Sequence, residues 1–390
     1  MTDARAILHI DMDSFFCSVE RALNPVLEDR PLMVGSTGTR GVIVAASYDV
    51  KAKGVQQGMP TGQAQRLAPG VTILPPRHKI YTQISAGIFK VLATFTDRVE
   101  PASIDESYLD ITSEAHGFEG AQSFGESIKA SIRDRFRLPC TIGIGPTRVI
   151  AKIVSAHSKP DGLRVILPGD ARAFLHPLPV RKLGGIGPRT EEILSGVGIR
   201  TLGDLAQYTD EQLVTLLGKS GPYLGAASRG ESADSVVAFA DRGEAKSMSK
   251  ETTLAYDTDD WPTIESVLLF LSEALASRMR KSKISGRTFV IKIRFDDFKT
   301  ITRSKSLPRA TNSEGAIFSL AADLFRANVG DRKIRLVGVG LHHLDEEEAL
   351  PLELDLGLEE ERPKEEETLA VVDRIRSRYG DDAVKKARLL

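Results

Sequence analysis

The chain has 390 residues, with 52 Lys and Arg against 53 Asp and Glu, two cysteines and 41% apolar residues. This composition indicates a globular protein of about two to four domains and excludes the disordered and fibrous classes, and no run approaches the roughly 18 consecutive apolar residues of a membrane span. The net charge of −1, taken as a total, argues against a nucleic-acid partner.

The first residues are polar and lack the apolar stretch of a signal peptide, so we expect a cytoplasmic protein without a membrane partner. Cys17 and Cys140 fit neither a disulfide framework nor a zinc-binding spacing, and we expect both to be reduced and buried. Residues 6–10 and 41–46 are typical of short buried strands. Residues 120–137 predict a helix, and 140–145 predict a strand that leads into another helix, which together indicate an α/β or α+β core.

Acidic residues interrupt two of these apolar patterns. Asp11 directly follows the first strand, with Asp13 two residues on, and Asp105 and Glu106 lie at a predicted turn between strands. If the strands are neighbours, Asp11, Asp105 and Glu106 converge, and converging carboxylates repel unless a cation bridges them. Oxygen ligands favour Mg²⁺ or Mn²⁺, as in two-metal phosphoryl transfer. The alternative is that Asp11 caps a helix starting at Phe15 while the other pair only forms a turn.

Basic residues form a second set. Tyr48, Lys51 and Lys53 follow the strand at 42–46, while Lys152 and Lys159 belong to the segment that follows the strand at 140–145. Near a metal site these groups would suit a triphosphate, because lysine supplies a point charge to phosphate oxygens. Each lysine taken singly also fits a solvated surface.

A glycine-rich turn at 183–188 opens the next unit, whose short helices extend over about residues 170–240. Its glycines, including Gly185 and Gly187, precede a predicted helix, and backbone N–H groups at such a position can hold a phosphate. A second helix signal at 201–205 favours a helix-hairpin-helix that binds the DNA backbone over a plain turn.

The charge is divided unevenly farther along the chain. Residues 278–309 contain eleven basic and two acidic residues, a local balance of +9, whereas residues 345–367 carry −10. Alternation at 288–295 predicts a half-buried strand, and a paired strand at 300–307 is expected to add to its basic face. This face would carry Lys292, Arg294, Arg303 and Lys305. With the flanking helices, the order β-α-β-β-α-β predicts a split βαβ sandwich that either binds a nucleic-acid backbone or is a solvated charged surface.

These motifs together resemble those of Y-family translesion DNA polymerases, most closely the DNA polymerase IV (DinB) branch, over residues 5–345. The resemblance rests on the following segments: Ile-Asp-Met-Asp-Ser-Phe-Phe at 10–16, Ala-Ser-Tyr at 46–48, Ser-Ile-Asp-Glu-Ser-Tyr-Leu at 103–109, Gly-Ile-Gly at 143–145, Ser-Lys-Pro-Asp-Gly at 158–162 and the glycine turn. It implies an α+β multidomain fold with the architecture of a right hand. The implied parts are a palm (5–20 and 78–167), fingers (21–77), a helix-hairpin-helix thumb (168–235), a linker (236–246), a split βαβ little finger (247–345) and an acidic C-terminal tail (346–390).

The resemblance also implies roles for individual residues. Asp11, Asp105 and Glu106 would be catalytic and would bind two Mg²⁺ ions, or Mn²⁺, with help from the Met12 carbonyl. Phe16 would be the steric gate against a 2′-hydroxyl. The nucleotide-binding residues would be Phe15, Phe16, Tyr48, Lys51 and Lys159, and the DNA-binding residues Gly185, Gly187, Lys292, Arg294, Arg303 and Lys305.

The sequence departs from the family pattern at several positions. The family commonly has Tyr-Glu-Ala-Arg where this chain has Tyr48-Asp49-Val50-Lys51, and lysine lacks the bidentate fork of arginine. Ala45 stands where a threonine is common. Residues 350–354, Leu-Pro-Leu-Glu-Leu, keep the leucines of a sliding-clamp peptide without its glutamine and phenylalanine, which makes the tail a weak clamp-binding motif.

The sequence thus predicts a low-fidelity, template-directed DNA polymerase for translesion synthesis, which adds deoxynucleotides to a primer 3′-hydroxyl and releases pyrophosphate. The expected partners are primer-template DNA and deoxynucleoside triphosphates, and we expect a monomer. The alternatives are a DNA-binding accessory factor with a degenerate polymerase fold and a nucleotidyl cyclase that shares the metal site.

Overall fold

The computed structural model describes residues 5–231, 235–238, 241, 243, 245–346, 364–380 and 383–384. The chain separates into two compact units, Met1–Arg242 and Gly243–Leu390. The weak clamp motif predicted at 350–354 lies outside the described residues.

The strands of the first unit form two sheets. In chain order they are β1 (Ile7–Met12), β2 (Leu32–Gly35), β3 (Ile43–Ala46), β4 (Thr72–Leu74), β5 (Val99–Pro101), β6 (Glu106–Asp110), β7 (Cys140–Gly145) and β8 (Leu163–Val165). The larger sheet has the order β5-β6-β1-β7-β8 and the smaller has the order β3-β2-β4.

The helices of the first unit pack on these sheets or follow them. They are α1 (Phe15–Leu23), α2 (Tyr48–Lys51), α3 (Thr61–Leu67), α4 (His78–Leu92), α5 (Ala121–Phe136), α6 (Arg148–His157), α7 (Ala171–Leu175), α8 (Pro188–Gly196), α9 (Leu202–Leu205), α10 (Asp210–Leu217) and α11 (Gly221–Ser228). Short 3₁₀ helices lie at Pro25–Leu27, Pro168–Asp170, Val180–Lys182 and Gly218–Ser220.

Strand β1 lies at the centre of the larger sheet, which explains its nearly continuous apolar sequence. It pairs antiparallel with β6 on one side and with β7 on the other, and helices cover both faces of the sheet. Helix α6 approaches β7 very closely at Gly143, where an added Cβ would lie 2.3 Å from the Ala151 carbonyl oxygen. Only glycine allows this contact, which brings α6 against one face of the sheet.

The second unit has the predicted β-α-β-β-α-β order. Its elements are β9 (Ser247–Thr258), α12 (Trp261–Lys281), β10 (Ile284–Phe295), β11 (Thr300–Thr311), α13 (Glu314–Val329), β12 (Ile334–Glu346) and, beyond the sandwich, α14 (Lys364–Tyr379). The strands form one antiparallel sheet in the order β11-β10-β12-β9. Phe289, Ile291, Ile293 and Phe295 are buried beneath α12 and α13, as the alternation predicts.

The predicted position of two basic residues on this sheet is wrong. Arg303 lies opposite Ile291 and Lys305 opposite Phe289, so both point to the helix side of the sheet, away from Lys292 and Arg294. Directly opposed residues of an antiparallel pair share a face, and a shift of one residue reverses the face. The Arg303 guanidinium accordingly donates to the Asn328 side chain on α13, at 2.7 Å.

Helix α14 falls within the tail predicted from the sequence and packs against α12. Asp373 of α14 accepts hydrogen bonds from Ser277 (2.9 Å) and from the Arg280 guanidinium (2.7 Å). The Arg376 guanidinium donates to Glu273 at 2.7 Å. These polar contacts fix the last described helix on the second unit.

Within the described segments, no helix is both long enough and apolar enough to cross a membrane.

Both cysteines are free and buried, as predicted, and they generate a test of the fold. Burial raises the pKa of the Cys17 thiol and of the Cys140 thiol to about 12. At pH 8 both therefore stay protonated, and the protonated thiol is not the nucleophile. In a thiol titration at pH 8 with a chromogenic disulfide reagent, the native protein should not react. The chain unfolded in denaturant should react at both cysteines. Fast reaction of native protein would contradict the packing described for β7 and α1.

Candidate nucleotidyl-transfer site

The sheet brings the predicted carboxylates to one end of neighbouring strands. Asp11 near the end of β1 lies directly opposite Glu106, the first residue of β6. Asp105 precedes β6 in the turn, where its carbonyl oxygen accepts from the Met12 N–H at 3.0 Å and its carboxylate accepts from the Ser103 hydroxyl at 2.5 Å. The predicted convergence of Asp11, Asp105 and Glu106 is therefore found.

Asp11 does not cap the helix that follows. The residue at the N-cap position of α1 is Ser14, which adopts a left-handed conformation (φ 43°), and no side chain caps this end. Asp11 belongs to β1 and is only 13% exposed in its side chain. The alternative interpretation of Asp11 as a structural cap is excluded.

Two lysines neutralise this acidic end of the sheet. The Lys159 ammonium lies 2.5 Å from an Asp11 carboxylate oxygen, and the Lys152 ammonium of α6 lies 2.6 Å from Glu106. Burial raises the pKa of Asp11 to about 6; Lys159 opposes this shift, while Glu106 and Asp105 add to it. A proton on Asp11 is thus easier to hold than on an ordinary aspartate, mainly because burial disfavours the charged form and to a smaller extent because other acids lie nearby.

The donor set fits a hard divalent cation in chemistry. Three carboxylates and the carbonyl oxygen of Met12 offer oxygen ligands only, the kind that Mg²⁺ prefers. In the part of the chain that the structure describes, no three His, Cys, Asp or Glu side chains stand in ligating positions. The ammonium groups of Lys159 and Lys152 instead bind Asp11 and Glu106 directly.

Beside Asp11 lies a cluster of cationic and hydroxyl groups from α2. The Lys51 ammonium donates to the Ser14 hydroxyl at 2.9 Å and lies 4.6 Å from the centre of the Tyr48 ring. Burial, and then repulsion from Lys159, lower the pKa of Lys51. The ammonium groups of Lys51 and Lys159 thus repel each other, and an anion bound between them would relieve this repulsion. Lys53 is exposed.

Phe16, the predicted steric gate, stacks on another aromatic ring. Phe15 is buried, and the half-buried Phe16 stacks on Tyr81 of α4 with ring centres 4.2 Å apart and an interplanar angle of 13°. The Tyr81 hydroxyl donates to Glu20 at 2.6 Å, and the Arg77 guanidinium binds the same carboxylate. Phe16 therefore packs on Tyr81, a buried side chain that a hydrogen bond to Glu20 holds in place.

The glycine turn lines a cavity next to the acidic end of the sheet. Gly185 has a positive φ of 94°, and a Cβ at Gly184 or Gly187 would meet nothing within 4 Å, so this backbone is open to an approaching group. The cavity has a volume of about 430 Å³ and is lined by four basic residues: Arg148, Lys152, Arg181 and Lys182. It could receive a polyanion beside Glu106, the partner of Lys152.

The open face of the second sheet is less basic than the sequence predicts. The Lys292 ammonium binds Glu251 of β9 at 2.8 Å across Gly338, and Arg294 donates to the Thr300 hydroxyl at 2.9 Å. The β11 residues on this face carry hydroxyls: Thr300, Thr302, Ser304 and Ser306. With glycine and short hydroxyl side chains, this face is flat and can donate hydrogen bonds.

Sequence analysis missed several residues that shape the site. His9 is 1% exposed in β1, with its Nδ1 atom 2.7 Å from the Ser155 hydroxyl and its Nε2 atom 3.9 Å from Glu106. Nε2 has no hydrogen-bond partner, and burial followed by Lys152 lowers the His9 pKa. The available signal was a histidine in an otherwise apolar strand. The buried Glu20 in α1 gave a similar signal.

The support beneath Phe16 generates a stability prediction. Glu20→Ala leaves the buried Tyr81 hydroxyl without its acceptor, and we expect the free energy of unfolding in urea to fall by about 2 kcal/mol. Glu20→Gln keeps an acceptor oxygen and should lose about half as much. Replacement of the exposed Glu114 by Ala is the control, with an expected change below about 0.5 kcal/mol. Equal stabilities of Glu20→Ala and the control would refute this support.

Comparison with known proteins identifies the family. Residues 10–156 match the impB/mucB/samB family model, residues 245–356 match its C-terminal domain, and residues 168–199 match the HHH motif of the same family. DNA polymerase IV of Bacillus velezensis is 34% identical over 393 residues, which cover 99% of this chain and 93% of the relative. DNA polymerase IV of Methanoculleus marisnigri is 37% identical over 348 residues, covering 88% of this chain and 96% of the relative.

Solved structures agree. A Y-family DNA polymerase chimera matches with a TM-score of 0.80 at 29% identity, over 87% of this chain and 99% of the chimera. An insertion ternary complex of Dbh DNA polymerase matches with a TM-score of 0.63 at 29% identity, over 86% and 98%. The predicted α+β multidomain polymerase fold, with helix-hairpin-helix and little-finger domains, is confirmed. The matched helix-hairpin-helix segment contains α7 and α8 and ends before α9, so the predicted second helix at 201–205 is not part of it. The chain belongs to the Y family of translesion DNA polymerases, in its DNA polymerase IV branch, and is a DNA-directed DNA polymerase.

Proposed function

We propose that Asp11, Asp105 and Glu106 are the catalytic residues of this polymerase and hold two Mg²⁺ ions, with the Met12 carbonyl as a further ligand. Mn²⁺ is the alternative ion. The observation that supports this is the pairing of Asp11 with Glu106 on adjacent strands, with Asp105 in the turn at the same end. When bound, the ions lower the pKa of the primer 3′-hydroxyl and stabilise the charge on the triphosphate.

The chain's own groups prepare this chemistry. Lys159 and Lys152 hold the Asp11 and Glu106 carboxylates in place before substrate binds, and each lysine can then turn to a phosphate oxygen. Tyr48, Lys51 and Lys159 would hold the triphosphate of the incoming nucleotide.

Phe16 would lie under the sugar and exclude a 2′-hydroxyl, with Phe15 packed beside it. The stacking of Phe16 on Tyr81 fixes the position of its ring, which a steric gate requires. Such a gate acts by contact, so its position must be held within a fraction of an ångström.

Primer-template DNA would be held through its backbone. Gly185 and Gly187 offer an open backbone in the glycine turn, and Lys292 and Arg294 lie on the open sheet face of the second unit. Dbh DNA polymerase has been solved as a ternary complex, which supports DNA and a nucleotide as partners here. Phosphate contacts of this kind weaken steeply with salt.

The proposed domain limits are those that the resemblance implies: palm at 5–20 and 78–167, fingers at 21–77, thumb at 168–235, linker at 236–246, little finger at 247–345 and tail at 346–390. We propose that the chain acts as a monomer and in the cytoplasm, and the cytoplasmic location accords with the two buried free thiols, since the cytosol keeps thiols reduced. The weak leucine motif of the tail would be the contact with a sliding clamp.

The decisive experiment removes two carboxylates. Asp105→Ala with Glu106→Ala should reduce primer extension by about a thousandfold or more, because metal-held charge stabilisation supplies several kcal/mol of the barrier reduction. The matched control, Glu126→Ala with Asp134→Ala on exposed positions of α5, should extend primers normally. Extension by the first variant at the control rate would refute the catalytic role of these carboxylates. Absence of divalent-ion-dependent extension by the unaltered chain would favour an accessory factor without chemistry, and a cyclic product made without template would favour a cyclase.

Sugar selection tests the gate. Phe16→Ala should raise the ratio of ribonucleotide to deoxynucleotide incorporation by about a hundredfold, because the steric penalty on a 2′-hydroxyl disappears. Single-nucleotide insertion kinetics with both sugars measure this ratio. Phe15→Leu, which alters the buried neighbour, should change it much less. Unaltered selection in Phe16→Ala would remove Phe16 from this role.

A further inference from the structure

The second acid of the Asp-Met-Asp motif is buried and accepts hydrogen bonds from three segments. Asp13 is 1% exposed and accepts from the Tyr48 hydroxyl (2.7 Å), the Thr141 hydroxyl (3.0 Å to each oxygen) and the Asp161 N–H (2.7 Å). An ionised carboxylate only accepts, and its few lone-pair directions are used by these donors. Asp13 is thus a satisfied structural charge rather than a further metal ligand.

The direction of the Tyr48 hydrogen bond is settled by chemistry. Burial raises the Tyr48 pKa, and the nearby Asp13 raises it further, so the phenol keeps its proton at neutral pH. Tyr48 therefore donates its hydroxyl proton and an Asp13 carboxylate oxygen accepts it, at 2.7 Å. The bond joins α2 to the end of β1.

The other two donors anchor the opposite side of the same site. Thr141 lies on β7, next to β1, and Asp161 follows Lys159 by two residues. Asp161 is held at its side chain by Lys129 (2.8 Å), so the short segment after α6 is fixed at both its N–H and its carboxylate. The Lys159 ammonium itself is 3.9 Å from Asp13.

These contacts connect the two sides of the triphosphate site. Tyr48 comes from α2 and Lys159 from the segment after α6, and one carboxylate binds Tyr48 and the backbone beside Lys159. Without the Asp13 carboxylate, none of these contacts would fix the position of Tyr48 relative to the Lys159 segment. Hydrogen bonds to a charged, buried acceptor are among the stronger and more directional ones.

We propose that Asp13 is a positioning residue that sets the affinity for the incoming triphosphate by holding Tyr48 and the Lys159 segment in register. This inference rests on the triphosphate site proposed above. A simple charge effect would have the opposite sign, since removing a negative group near a triphosphate would tighten binding.

The test measures the Kd of a correct deoxynucleoside triphosphate and the maximal insertion rate separately, in single-turnover extension of a primer-template by the full chain. Asp13→Asn keeps the size but turns an N–H towards a donor, so the Kd should rise about tenfold or more. The maximal rate should change less than about threefold, because the carboxylates that bind metal are intact. An unchanged or lower Kd overturns the proposal.

A matched control and a second variant complete the design. Asp110→Asn changes another buried carboxylate, which accepts from Thr112 at the other end of β6, and it should leave the Kd unchanged. If Asp13→Asn does not fold, Thr141→Val removes a single donor to Asp13 and should raise the Kd about threefold. An unchanged Kd in folded Thr141→Val then overturns the proposal.

Two further variants separate this proposal from the site on which it rests. The double variant Tyr48→Phe with Asp13→Asn should raise the Kd by less than the product of the two single effects. The reason is that each change disrupts the same hydrogen bond, the one between Tyr48 and Asp13. Strict multiplication would contradict the proposed link. Lys159→Met must raise the Kd if the triphosphate site is correct. If Lys159→Met has no effect, the site is wrong, whereas an effect of Lys159→Met without one of Asp13→Asn refutes only the role of Asp13.

Discussion

Repulsion between carboxylates at the shared end of β1 and β6 is the constraint on which the site depends. Strand pairing sets Asp11 opposite Glu106, and a sheet cannot move one of them away without losing its register. The protein offsets the repulsion with Lys159 and Lys152, both delivered by α6 and the segment after it. The close approach of α6 to β7 at Gly143 therefore brings these lysines beside the carboxylates as well as packing the helix on the sheet.

The same helix and strand ends serve two different purposes. Asp11 lies beside Lys159 and two other acids, and burial, with a smaller contribution from those acids, raises its pKa. Asp13, two residues later, is enclosed by fixed donors from α2, β7 and the Asp161 backbone. One short motif thus supplies a carboxylate paired with a lysine beside two other acids and a carboxylate enclosed by fixed donors, distinguished only by what surrounds each.

Local patterns predicted much of this molecule because they depend on near neighbours in sequence. The alternation of β10 indicated its buried face, and acids placed after apolar strands indicated the convergence of Asp11, Asp105 and Glu106. The ion pair between Lys159 and Asp11 joins residues 148 positions apart, and no local pattern reports it. The hydrogen bonds that Asp13 accepts also join residues far apart in sequence, so no local pattern predicts them.

The face that each β11 residue occupies depends on the length of one loop, which sets the register of β11 against β10. Phe295 pairs with Lys299 around a three-residue turn, whose last residue, Phe298, has a positive φ of 64°. A loop one residue longer would have put Arg303 opposite Lys292, as the sequence analysis assumed. The hydrophobic period constrains β10 strongly, whereas only Ile301 and Leu307 mark the inner face of β11, which they share with Arg303 and Lys305.

The reversed face of β11 has a consequence for solubility. This strand is an edge of its sheet, and its outer N–H and C=O groups would otherwise offer a template for another strand. Arg303, Lys305 and Arg309 are exposed along it, Pro308 lacks a donor, and the register shifts between Gly286 and Thr288 on the adjacent strand. Charge, proline and irregular pairing are the features by which natural sheets discourage edge-to-edge aggregation. Basic residues that the sequence suggested for DNA thus lie where they would keep one molecule from adding its sheet to another.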